Sequence, residues 1–205
     1  MKCIKVGLNK LKLGFFILLF YSCGKQNLSP DYYVKWVENE NNGLSLSKDF
    51  NDVNFQILYK PIDYIVAKEY LNGNLKKEDI KNRVKELSNM QYFTLRIKSK
   101  NSNELLNANI SSENEYYQRL EYFMGPMQDD IKLIENNDTI PCALHHFERT
   151  YGLAPYNNFV LAFAPSKSNN ADKYFVFEDK ILGTGKVTFQ LKLKDINNIP
   201  NLVWN

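Results

Sequence analysis

The densest cluster of side chains that could do chemistry lies between Cys142 and Glu148 and contains both histidines of the chain. Cysteine, histidine and glutamate are zinc ligands, and a thiol beside an imidazole can serve as a nucleophile. Neighbouring residues of a strand point to opposite faces, so His145 and His146 would not both face the same thiol. We therefore predict no metal site, and we favour a buried structural role for Cys142 over a catalytic one.

A second segment, Gly183-Thr184-Gly185-Lys186, has the composition of a phosphate-binding loop. The full motif requires glycine at position 180 and serine or threonine at position 187, where this chain has lysine and valine. The pattern indicates a hairpin turn instead. The chain also contains no Gly-x-Ser-x-Gly nucleophile motif, and no cofactor is expected.

The amino-terminal segment, from Lys2 to Gly24, has the three parts of a secretory signal. Four lysines come first, an apolar block from Leu13 to Tyr21 follows, and Ser22-Cys23-Gly24 closes it with small residues. The block is too short to span a bilayer, which takes roughly 20 apolar residues. The segment is therefore predicted to direct export.

This segment resembles the signals of bacterial lipoproteins, with a degenerate lipobox at Phe20-Tyr21-Ser22-Cys23. The resemblance implies cleavage before Cys23, a diacylglycerol thioether on its sulfur and an acyl chain such as palmitate on its amine. It also implies the outer membrane as location, because Gly24 stands where aspartate marks inner-membrane retention. Two or three acyl chains suffice for stable attachment. The tether lacks acidic residues, which favours the periplasmic side.

The predicted organisation is a signal peptide over 1–22, a lipidated tether over 23–30 and a single globular domain over 31–205. Removing four leader lysines leaves 22 basic against 23 acidic residues, a net charge of −1. A near-neutral chain argues against a nucleic-acid partner. With Cys3 removed and Cys23 acylated, Cys142 has no cysteine left with which to form an intramolecular disulfide.

The hydrophobic periodicity predicts an α+β fold, a mostly antiparallel β-sheet or sandwich of seven to nine strands with two or three helices. Alternation is clearest in two strands, over 53–59 and 187–193, and Ser112 with Glu115 forms a capping box for a helix. The predicted strands cover 32–37, 53–59, 92–98, 131–134, 139–147, 159–163, 174–177, 187–193 and 199–204. The predicted helices cover 62–71, 75–90 and 112–124.

These features favour a non-enzymatic envelope lipoprotein, a structural, accessory or protein-binding component held by acylated Cys23. Its partner would be an envelope protein. Tyrosines are the predicted points of contact, because tyrosine is enriched at protein interfaces. Two alternatives stay open: a lipid-anchored hydrolase using Cys142 with His145 or His146, and a small-ligand carrier with an apolar pocket inside the sheet. The predicted partner contacts are Tyr116, Tyr117, Tyr151 and Tyr156.

Overall fold

The computed structural model describes residues 25–102, 104–167 and 170–204, and an eight-stranded antiparallel sheet dominates it. In chain order the strands are β1 Asn27–Leu28, β2 Ser45–Phe50, β3 Val53–Lys60, β4 Gln91–Ser99, β5 Ile131–Glu135, β6 Asp138–Glu148, β7 Tyr156–Phe163, β8 Lys173–Glu178, β9 Lys186–Leu191 and β10 Asn201–Leu202. The helices are α1 Pro30–Glu38, α2 Ile62–Leu71, α3 Ile80–Leu87, α4 Glu113–Met124 and α5 Leu193–Asn197.

The large sheet curves until it is nearly a barrel. Its strand order is β2-β3-β4-β7-β6-β5-β8-β9. The two edge strands approach each other, and the Lys48 ammonium on β2 donates a hydrogen bond to the Thr188 carbonyl on β9. A mixed α+β fold made mostly of antiparallel sheet is what the periodicity predicts, and that fold class is confirmed.

Phenylalanine rings fill the inside of this curved sheet. Phe55 on β3 lies 6.1 Å from Phe177 on β8, and Phe93 on β4 lies 5.8 Å from Phe175 on β8, measured between ring centroids. All four side chains are fully buried. Rings of this size bury large apolar areas, which compensates for the absence of a disulfide in the described chain.

Helix α4 covers one part of this aromatic interior. The ring of Phe123 lies 5.2 Å from that of Phe159 on β7, in an edge-to-face arrangement. At the start of the helix the Ser112 hydroxyl accepts a hydrogen bond from the backbone N–H of Glu115, as the capping motif predicts. The Glu115 carboxylate accepts from the N–H of Ser111, one residue earlier than the usual capping box requires.

The strand predicted over 32–37 is wrong, because these residues belong to helix α1. Pro30 occupies the first helical position, where its fixed φ suits a helix, and Asp31 lies in the first turn near the positive end of the dipole. Tyr33 and Val37 are four residues apart and both are buried, so they form one helical face.

That face contributes to a second apolar core outside the large sheet. Tyr33, Val37, Leu44 and Tyr64 are its buried members, and Leu28 and Leu202 are among the residues that pack against it. The last two belong to β1 and β10, which pair in parallel with each other and not with the main sheet. The residues assigned from sequence to the tether therefore include a strand that packs on the domain.

Most remaining elements follow the predicted pattern with shifted ends, but the strand predicted over 187–193 ends at Leu191, and Leu193 begins α5, a helix that the sequence analysis does not predict. Helix 62–71 matches α2, and the helix predicted over 75–90 shortens to α3 after a 3₁₀ turn over Lys77–Asp79. Strand β2 is not predicted, because its exposed Ser47, Lys48 and Asp49 give it a polar edge. Within the described ranges, no helix is both long and apolar enough to cross a membrane.

The loop between β8 and β9 is organised by a single buried carboxylate, that of Asp179. It accepts hydrogen bonds from the backbone N–H groups of Ile181, Leu182 and Thr184, at 2.7–2.9 Å, and from the Thr184 hydroxyl. The segment that looks like a phosphate loop is thus a hairpin connection, as its sequence indicates.

A buried ion pair lies at the start of β8. The Lys173 ammonium lies 2.7 Å from Glu135 Oε1, with the two side chains 7% and 4% exposed, and it also donates to Gln91 Oε1 at 2.7 Å. The second oxygen of the Glu135 carboxylate, Oε2, has no hydrogen-bond partner among the described residues. Because both charges are out of water, each depends on the other for its stability in the fold.

We predict that Lys173→Met alone lowers the free energy of unfolding by about 3–5 kcal/mol, because it leaves the Glu135 carboxylate buried without a counter-charge. Urea denaturation measures this. The double variant Lys173→Met/Glu135→Leu should recover most of the loss, since it removes both charges together. A double variant no more stable than the single one would contradict this interpretation.

Candidate functional site

A polar cleft of about 540 Å³ lies on the outside of the sheet, between its outer face and helix α2. We call it the outer cleft. Strands β3, β4, β6 and β7 form its floor, and α2 forms one wall. The charged and hydrogen-bonding side chains that line it include Glu38, Gln56, Lys60, Tyr64, Lys68, Arg96, Glu148 and Asn158.

The floor of the cleft is a row of register partners. Gln56 on β3 pairs with Arg96 on β4, Arg96 pairs with Asn158 on β7, and Asn158 pairs with Glu148 on β6. Side chains that are directly opposite each other on adjacent strands point to the same face. The inner face carries the aromatic core, so this row is directed outward and collects polar groups from four strands.

Hydrogen bonds fix the row. Arg96 Nε donates to Asn158 Oδ1 at 2.9 Å, and Asn158 Nδ2 donates to Glu148 Oε2 at 3.0 Å. The Arg96 guanidinium also lies over the ring of Tyr156, 4.2 Å from its centroid. A guanidinium held by a side-chain acceptor and an aromatic face has little freedom to move, so the floor is preorganised.

The helical wall has its own network, centred on Glu38. Its Oε1 accepts from the Tyr64 hydroxyl at 2.7 Å and from the Lys68 ammonium at 3.0 Å. Burial opposes ionisation of Glu38, but the hydrogen bonds from Tyr64 and Lys68 outweigh it and lower the pKa of the carboxyl. Burial and the neighbouring Glu38 both raise the pKa of Tyr64, so its hydroxyl stays protonated and donates.

Lys60, the last residue of β3, differs from the other cations of the cleft. In the part of the chain that the structure describes, its ammonium makes no hydrogen bond or ion pair, whereas Lys68 and Arg96 both have partners. Burial lowers the pKa of Lys60, and the charge of Glu148 only partly offsets this. An ammonium with three donors and no acceptor is suited to bind a carboxylate brought by another molecule.

The cysteine and histidines singled out in the sequence lie on β6, where a β-bulge between Cys142 and Leu144 changes the alternation. Cys142 pairs with the inward-facing Phe163, and the His145 ring lies 5.7 Å from that of Phe159, whereas His146 is exposed. The bulge therefore turns Cys142 and His145 to one face, which strict alternation does not predict.

The Cys142 thiol donates to backbone carbonyls, that of Leu144 at 3.1 Å and that of Ala162 at 3.9 Å. Burial raises the pKa of the thiol to about 11, opposite to the lowered pKa of reactive cysteines. Burial also lowers the pKa of His145, whose buried Nε2 has no hydrogen-bond partner among the described residues. In the same ranges, no group of three or more His, Cys, Asp or Glu side chains is arranged to hold a metal ion.

Three of the four tyrosines predicted to contact a partner gather around Arg149. The Arg149 guanidinium donates to the Tyr116 hydroxyl and lies 4.7 Å from the ring centroid of Tyr151, which is 73% exposed. The rings of Tyr116 and Tyr117 meet edge to face at 5.4 Å. Tyr156 is separate from this group, since it stacks on Arg96 beside the outer cleft. Cys23, the predicted lipidation site, lies outside the described residues.

No local pattern in the sequence identifies the outer cleft. Gln56 and Arg96 occupy outward positions of predicted strands, where charged residues are ordinary, and Asn158 and Glu148 lie one residue outside the strands predicted over 159–163 and 139–147. Arg96 and Asn158 are 62 positions apart and meet only because β4 and β7 are neighbours. The one available signal was the recurrence of charged and amide side chains at the ends of these strands, and it cannot be used without the strand order.

Known proteins show only weak similarity to this chain. No family model matches this chain, and no curated protein does. A solved structure of a protein of unknown function from Burkholderia pseudomallei K96243 has 10% sequence identity to this chain and a TM-score of 0.38. The match covers 84% of this chain and 91% of that protein's chain. The structure of a DUF4426 family protein from Pseudomonas aeruginosa PAO1 has 12% sequence identity and a TM-score of 0.35. This match covers 72% of this chain and 90% of that protein's chain. At TM-scores below 0.5 these likenesses carry no argument about function.

Proposed function

We propose that this chain is a non-enzymatic binding component of a bacterial cell envelope, held on the outer membrane by acylated Cys23. Its partner is an envelope protein that places an acidic side chain or a terminal carboxylate in the outer cleft. The lipoprotein-like signal supports the anchor, and the composition of the cleft supports the mode of binding.

The observation that carries the binding proposal is the ammonium of Lys60. The Lys60 side chain is partly buried and its ammonium has no acceptor among the described residues, and this partial burial lowers the pKa of the ammonium. A carboxylate entering the cleft would supply a charged acceptor for this ammonium and favour its charged form. Charge-assisted hydrogen bonds of this kind are about twice as strong as neutral ones.

The groups around Lys60 favour selective binding. The networks of Arg96 and Glu38 hold both sides of the cleft in place before a partner arrives, which reduces the entropy lost on binding. Tyr156, stacked on Arg96, stands at the edge of the cleft and is the predicted partner tyrosine that this site would use. Tyr116, Tyr117 and Tyr151 remain predictions of a separate contact.

The alternative of a cysteine hydrolase has less physical support. Nucleophilic catalysis needs a thiolate beside a base, and the Cys142 thiol instead has a raised pKa and donates to main-chain carbonyls. A carrier with an apolar pocket inside the sheet would need space that the buried phenylalanines of β3, β4 and β8 occupy.

The anchor is tested by the mass of the amino-terminal peptide of the protein purified from membranes. We expect this peptide to begin at Cys23 and to carry a diacylglycerol group and a further acyl chain, because the signal resembles that of lipoproteins. A peptide that begins at Met1, or one with a free thiol at Cys23, would contradict the proposed attachment.

The binding mode is tested by photo-crosslinking in cells from p-benzoylphenylalanine at Asn72, an exposed residue at the edge of the cleft. We expect Lys60→Met to reduce the crosslinked adduct about tenfold, as the loss of one charge-assisted hydrogen bond predicts. Folding should not suffer, because methionine removes a poorly solvated charge.

The matched control is Lys85→Met, which removes an exposed lysine of α3 that does not line the cleft. This variant should give as much adduct as the unaltered chain. An adduct that Lys60→Met leaves unchanged, in a variant whose melting temperature is preserved, would overturn the proposed role of the cleft.

A further inference from the structure

The chain is fixed to its domain almost from its first described residue. The carbonyl of Gln26 accepts a hydrogen bond from the N–H of Asn201 at 2.8 Å, and the carbonyl of Leu28 accepts from the N–H of Val203 at 2.9 Å. The Asn201 side chain also donates to that of Asn27 at 3.1 Å. The segment before α1 is therefore part of the domain and does not act as a flexible linker.

This attachment limits how far the domain can stand from the membrane. Cys23 precedes Gln26 by three residues, and a fully extended chain covers at most about 3.3–3.6 Å per residue. Three residues therefore span at most about 11 Å between an anchor at Cys23 and Gln26. This step rests on the proposed lipid anchor, because only an acylated Cys23 places that point in the bilayer.

The surface at this end of the domain has the side chains that membrane interfaces favour. Tyr32, in the first turn of α1, is 62% exposed, and Val203, just after β10, is 37% exposed. Trp204 follows and is partly buried, with its ring 5.2 Å from that of Tyr70, and Lys25 is exposed just before β1. Tyrosine and tryptophan settle at the headgroup level, where lysine adds attraction to anionic lipids.

We propose that the β1–β10 side of the domain, with Lys25 before β1, Tyr32 in α1, and Val203 and Trp204 after β10, docks on the phospholipid bilayer. The short link from Cys23 holds the β1–β10 edge at the headgroups, so the domain lies on the membrane and is not free to swing on a tether. The orientation of the outer cleft relative to the membrane is then fixed as well.

The chain offers a direct test because it contains only two tryptophans, Trp36 and Trp204. The full acylated protein is placed in phosphatidylcholine vesicles that contain brominated lipids, which quench tryptophan emission on contact. The Trp36→Phe variant reports on Trp204, and the Trp204→Phe variant reports on Trp36. We expect quenching of Trp204 to exceed that of Trp36 by about twofold or more, as residence at the headgroups requires.

A second measurement guards against misfolding of a tryptophan variant. A nitrobenzoxadiazole label on Val203→Cys should shift to the blue on vesicles, whereas the same label on Leu153→Cys, which is 91% exposed in the loop between β6 and β7, should not. Cys142 is buried and does not compete for the label.

The mass of the amino-terminal peptide separates the possible failures. If Cys23 is acylated but Trp204 and Trp36 are quenched equally, and the Val203 label does not shift, the docking surface is wrong and the anchor stands. A peptide without an acyl group would overturn both the anchor and the docking that rests on it.

Discussion

The parallel pairing of β1 with β10 is the constraint on which the rest of the molecule's arrangement depends. A pair of two-residue strands is marginal by itself, but Leu28 and Leu202 also pack into the second core beside Tyr33 and Tyr64. Tyr64 belongs to α2, which forms the wall of the outer cleft. The contacts that fix the start of the chain therefore also position the proposed binding site.

The two faces of the large sheet differ in composition, since the inner face is apolar and the outer face is polar. The inner face is filled with aromatic rings, which supply the domain with apolar burial that a disulfide does not have to supplement. Polar side chains are consequently left to the outer face, where the register of β3, β4, β7 and β6 aligns them in one row. Helix α2 turns that row into a cleft by covering one side of it.

Local patterns in the sequence predict much of this fold. Alternation identifies β3 and β4 nearly to their ends, and Ser112 marks the start of α4. They fail where one pattern suits two structures: the apolar residues of α1 fit a strand as well as a helix until burial of Tyr33 and Val37 on one face decides. The cleft itself depends on strand order and on the bulge in β6, which follow from packing between distant segments and leave no local mark.

Amide hydrogen exchange at Asn201 and Val203 tests the pairing of β1 with β10 most directly. The backbone N–H groups of Asn201 and Val203 donate to the carbonyls of Gln26 and Leu28, so in the intact protein both should exchange slowly, as the amides of β4 do. Exchange at the rate of an unstructured peptide would mean that the chain is free up to α1, and neither the docking on the membrane nor the placement of the cleft wall would stand.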